Sequence, residues 1–120
     1  MEFSKLISYL LHSRTQTHIF HLQTRSYAEH IALNAYYDGI IPLIDGLVES
    51  YQGKYGIITD YTNFGILQYE NTQQVLDYLG ALCNGLSQVH STIEDSYTQN
   101  QLDTITELIK STMYKLTYLK

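Results

Sequence analysis

From position 75 to 93 the apolar residues stand at Val75, Leu79, Leu82, Leu86, Val89 and Ile93, in alternating steps of three and four. Only an α-helix, at about 3.6 residues per turn, gathers such positions onto one face, and so apolar a face has to be covered by other parts of the chain. Asn71 followed three residues later by Gln74 has the side chains of a capping box, so this helix is expected over 71–93. The same periodicity recurs along the chain. Leu6, Ile7, Leu10 and Leu11 mark a helix over 4–23, and Leu33, Tyr36, Tyr37, Ile40, Leu43, Ile44 and Leu47 mark one over 27–51, after a break at Thr24-Arg25-Ser26. Leu102, Ile105, Leu108, Ile109, Met113 and Leu116 mark a last one over 99–118. Pro42 lies inside the second helix and cannot donate to the carbonyl of Asp38, so a kink is expected there.

Loop lengths then constrain topology. The first and last connections are short and force antiparallel hairpins, whereas the segment from Lys54 to Glu70, opened by Gly53 and Gly56, is long. A helix of about 25 residues is roughly 38 Å long, and a linker of about 17 residues can stretch further than that. The expected fold is therefore an all-α, ferritin-like four-helix bundle: two antiparallel hairpins joined by one long crossover, in a single domain spanning 1–120.

Charge and composition narrow the partners. Only 16% of residues are charged, the formal net charge is -5, and the seven lysines and arginines are scattered, which is a poor match to nucleic acid. The twelve tyrosines suit helix or subunit interfaces better than base stacking, since no cationic groove accompanies them. The chain has no run of about 18 apolar residues and no basic, apolar start, so no membrane partner is expected and the expected location is the cytosol of a cell or of an infected host. The single cysteine, Cys83, lies among apolar neighbours at helical spacing and reads as a buried thiol.

One stripe of the second helix carries chemistry. His30, Asn34, Asp38, Asp45 and Glu49 fall within a wedge of roughly 100° at the border of the apolar face. Asp45 and Glu49, at i and i+4, are able to point at one ion. His18 and His21 on the first helix are a further source of imidazole. Imidazole combined with carboxylate suits iron, zinc or manganese better than calcium. The bland alternative is a hydrogen-bonded polar seam. Elsewhere the pattern is thinner: His90 at the end of the third helix reads as a dipole partner, and His12 has no evident partner.

The spacing of this stripe resembles that of Dps-like miniferritins. In that family a histidine at the end of the first helix is followed by a second histidine after eleven residues and by an aspartate four positions further on, with Asp-x-x-x-Glu later on the second helix. Here His18, His30, position 34 and Asp45 to Glu49 stand in that register. The resemblance implies a ferroxidase site at a two-fold interface, in which His18, His30 and position 34 of one copy face Asp45 and Glu49 of another. It implies Fe(II) as the ion oxidised and sequestered, and a closed homo-oligomer, in the family a dodecamer. Position 34 is Asn rather than Asp, which removes one negative charge. Ile19 and Gln23 stand where the family has Trp and Gly, so either His18 or His21 is the counterpart of the first histidine. The basic N-terminal tail with which some members hold DNA has no equivalent. The shortness of the chain, its tyrosines and Asn34 fit equally a non-enzymatic oligomeric bundle, such as a phage or other viral accessory protein, that has lost turnover.

Overall fold

A computed structural model describes all 120 residues as four helices with no strand: α1 (Phe3–Gln23), α2 (Tyr27–Tyr55), α3 (Thr72–His90) and α4 (Ser96–Tyr118). Each α1 and α4 packs on both α2 and α3, which leaves α2 and α3 on one diagonal of a bundle measuring 43 × 25 × 21 Å. The start of α3 lies beside the start of α2, where the Thr72 hydroxyl donates to Glu29 Oε2 at 2.6 Å. The segment 56–71 therefore travels the length of the bundle, and the two antiparallel hairpins it joins are arranged as in ferritin-like folds.

The apolar stripes form one core. Leu6, Leu10, Leu33, Ile40, Leu79, Leu82, Ile105 and Ile109 are all fully or almost fully buried in it. Burial of each such side chain contributes about 1.5–3 kcal/mol, before the entropy of ordering the chain is set against it. Tyr36 is also sealed inside, and its hydroxyl lies 2.8 Å from Ser13 Oγ, so its polar end is satisfied.

The helix ends differ from expectation in ways with local causes. α2 continues past residue 51 and through Gly53 to Tyr55, and the stop is Gly56, whose φ of 93° few other residues adopt. It also runs unbroken through Pro42. α3 stops at His90 rather than 93, with Thr92 and Ile93 turning back to bond the carbonyls of Val89 and His90. Asn71 is its N-cap and accepts from the Gln74 backbone at 2.9 Å, but the Gln74 side chain reaches Glu70 and Gln68 rather than closing the box on Asn71. α4 begins at Ser96 rather than 99. By length and composition α2 is also apolar enough to cross a membrane, with a mean hydropathy of 1.2 over its most apolar 18 residues, 33% of which are buried in the bundle.

The crossover has no helix of its own and is tied down by side chains of α1. Ser4 donates to Asp60, the Thr62 backbone donates to Ser8 Oγ, His12 Nε2 lies 2.9 Å from the Gly65 carbonyl, and Gln16 bonds both the N–H and the carbonyl of Leu67. Gln23 completes the series at the Tyr69 N–H. Ser4, Ser8, His12 and Gln16 are four residues apart, so a polar edge of α1 acts as the template along which the extended segment lies.

Candidate functional site

The α1–α2 hairpin brings three of its histidines to one end of the bundle. Ser26 caps α2 by accepting from the Glu29 backbone at 3.2 Å, and its own N–H goes to Thr24 Oγ1, which sharpens the turn and sets His21 opposite His30. The two imidazoles stack with centroids 3.6 Å apart and planes 16° from parallel. His21 Nδ1 lies 2.7 Å from the His30 carbonyl, and His30 Nδ1 lies 2.8 Å from the His21 carbonyl. A carbonyl only accepts, so both Nδ1 atoms carry a proton. In the neutral rings the lone pairs are then on Nε2, the arrangement in which a histidine presents itself to a metal while its other nitrogen is held by the main chain.

Of His18 and His21, it is His21 that meets His30. His18 instead stacks on Tyr37 at 4.2 Å, with its ring 5.8 Å from that of His21. Tyr37 donates to Asn34 Oδ1 at 3.0 Å, and Asn34 Nδ2 donates to Asp38 Oδ2 at 2.8 Å, so the three form a chain along α2. Asn34 and His30 are half-buried, whereas Asp38, Asp45 and Glu49 are exposed. Asp38, Asp45 and Glu49 thus lie on the side of α2 that the rest of the bundle leaves uncovered, Asn34 stands at its border and His30 is turned against α1, while Leu33, Tyr36, Ile40, Ile44 and Leu47 face the core.

Distance divides the stripe. Fifteen helical residues separate His30 from Asp45, about 22 Å at ~1.5 Å per residue. One copy of the chain therefore gathers His18, His21, His30 and Asn34 at one place and Asp45 with Glu49 at another, and nowhere do three His, Cys, Asp or Glu side chains come together as a metal cluster. The donor set fits iron only if a second copy supplies the carboxylates.

Several polar groups have other duties. His12, for which the sequence offered no partner, is held by Tyr78 Oη at 2.7 Å and by Gly65. Its place in the series Ser4, Ser8, His12, Gln16 was the available signal. Glu29 is the buried polar group that the sequence reading missed: at 5% exposure, its Oε1 meets no protein donor. The Ser-x-x-Glu spacing from Ser26 suggests a box, but Glu29 turns inward to Thr72 instead. His90 pairs with Asp103 of α4 at 3.2 Å, and Cys83 is buried, its thiol pushed up by desolvation and hence a poor nucleophile. Asp95 accepts from both Lys54 and Tyr55 at the far end of the bundle; these bonds, Lys54 first, hold its carboxyl below the usual range.

Fold and site together define an all-α, ferritin-like helical bundle with a histidine-bearing hairpin end and an uncovered acidic stripe. Residues 21–116 match a protein family of unknown function, DUF5856, and the chain belongs to that family. The match runs from His21 to Leu116 and so includes His21, His30, Asn34, Asp45 and Glu49. No curated protein and no solved structure matches the chain.

Proposed function

We propose that this protein is a ferritin-like metal binder that takes up Fe(II) between two copies of itself. The observation that carries the reading is the His21–His30 clasp, which fixes two imidazoles as Nδ1–H tautomers and leaves Nε2 of His30 for a ligand, while Nε2 of His21 has only a long 3.5 Å contact with the Tyr37 hydroxyl. A second support is register. Antiparallel pairing of two α2 helices about a point between Gly39 and Ile40 aligns residue 30 of one with 49 of the other, and at the same time 34 with 45. That single arrangement would bring Glu49 of the second copy to His30 and Asp45 of the second copy to Asn34. Asp45 and Glu49 lie on the uncovered side of α2, with Asn34 and His30 half-buried beside it.

In this reading iron is the cargo, and the chain's own contribution is a neutral nitrogen-rich half-site whose charge compensation comes across the interface. Asn34 in place of a carboxylate lowers the negative charge of the site by one and supplies a weaker, neutral oxygen donor, which lowers its affinity for the cation. Zinc or manganese would suit the same donors. Elemental analysis of the purified protein, together with an Fe(II) titration followed by absorbance, tests the proposal. Protein that neither binds Fe(II) nor consumes it faster than buffer would overturn it.

A non-enzymatic oligomeric bundle is the second reading, and one observation favours it specifically. Tyr37, Asn34 and Asp38 satisfy one another within one chain, as a structural seam would. Under this reading light scattering still reports an oligomer, whereas the metal titration is silent.

A further inference from the structure

Away from the histidine hairpin, α1, α3 and the crossover enclose a cleft of about 400 Å³. Its walls are Tyr9, His12, Phe64, Leu67 and Tyr78, and its rim carries Lys5. The rings are mutually oriented rather than merely adjacent. Tyr9 meets Tyr78 edge-on at 5.6 Å and lies 5.4 Å from Phe64, and His12 is edge-on to Phe64 at 5.6 Å. A second compartment of about 560 Å³ shares Tyr9, Leu67 and Tyr78 with the first, so the opening continues along the α1–α3 groove. Both volumes lie in the range typical of small-molecule sites.

Three features give the cleft a chemical preference. Its walls offer aromatic faces and edges, which favour a flat aromatic guest over a branched aliphatic one. Lys5 is the one lysine or arginine on its lining and belongs to neither of the chain's ion pairs, so its ammonium is available to an anion. The Tyr9 hydroxyl is kept protonated by burial and is a donor without a partner in the protein, whereas that of Tyr78 is already engaged with His12. His12 also fixes the shape of the site, since it holds the crossover at Gly65 on one side and Tyr78 on the other.

We infer that this cleft is a binding site for a planar aromatic carboxylate or sulfonate, its ring laid against the cluster of Tyr9, Phe64 and Tyr78 and its acid group at Lys5. The site shares no residue with the cluster of His18, His21 and His30 and does not depend on metal.

The probe is anilinonaphthalene sulfonate, titrated by fluorescence into the full chain in the presence of a chelator, with amide shifts followed by NMR. Saturable binding at one site, with shifts at Tyr9, Gly65 and Tyr78, is expected. Lys5→Glu should weaken it by about tenfold, the effect of losing one charge-assisted contact and gaining a repulsion. Because Lys5 is exposed, that variant keeps the wild-type melting curve. Uncharged phenylnaphthylamine should bind more weakly and equally to both proteins. Equal affinity of the sulfonate for wild type and Lys5→Glu, shifts confined to other residues, or no saturable binding would each overturn the inference.

Discussion

His21 and His30 are joined reciprocally: each ring donates from Nδ1 to the main-chain carbonyl of the other, and the two rings lie face to face at 3.6 Å. This closes the α1–α2 hairpin with side chains instead of a tight glycine turn. Replacing either histidine by alanine removes a hydrogen bond and the ring stack at once, so each single variant should lose about 1–3 kcal/mol. The double variant should lose less than the sum, because the pair acts as a unit. Urea unfolding of the four proteins of this cycle measures both effects.

Asp45 and Glu49 are exposed and packed against nothing in their own chain. Asp45→Ala and Glu49→Ala should therefore leave the melting temperature of the isolated chain within the small range usual for surface substitutions, about 0.5 kcal/mol. Under the proposed function they nevertheless abolish Fe(II) uptake. Asn34→Asp restores a carboxylate and should tighten cation binding, which isothermal titration detects directly. A pair of acidic variants that binds iron as well as wild type would separate the stripe from the site.

Gln16 is fully buried and uses both ends of its amide on Leu67. Gln16→Ala leaves an N–H and a carbonyl of the crossover without partners, at a cost of about 1–3 kcal/mol. Amide exchange should accelerate at Leu67 and its neighbours well before it changes in α3. Gln16→Glu should also destabilise, since a carboxylate has no donor for the Leu67 carbonyl.

At the opposite end of the bundle, Asp95 is held below the ordinary carboxylate range by the Lys54 ammonium and then by the Tyr55 hydroxyl. A folded-state value below the unfolded one means that the stabilisation is present above about pH 3.9 and is lost as the pH falls through the lower, folded-state value. The thermal midpoint of Asp95→Asn should lie slightly below that of wild type near neutrality, and the two should converge in acid. Added salt should shrink the neutral-pH difference, as for any exposed ion pair.

The helices and the long link were legible because their signals are local. Val75 to Ile93 repeats at helical spacing whatever lies around it, and the length between Gly53 and Asn71 limits the topology by reach alone. End positions were less legible: Asp95 caps nothing with its side chain and is drawn instead to Lys54, a contact made across 41 residues. Glu29 was hidden for the same reason. Its spacing from Ser26 signals a capping box, yet Thr72 of α3 offers it a partner in the interior.

Within the candidate site, the sequence determined that His18, His21, His30, Asn34, Asp45 and Glu49 occupy two neighbouring helices, since periodicity assigns each residue to a face. It left open which of His18 and His21 meets His30. Only the tertiary structure decided for His21, through a turn capped at Ser26 that brings two backbone carbonyls within reach of two imidazoles, and only it paired His18 with Tyr37. The physical reason is range: helical spacing is set by a residue's nearest turns, whereas these contacts depend on how one helix is rotated and shifted against another.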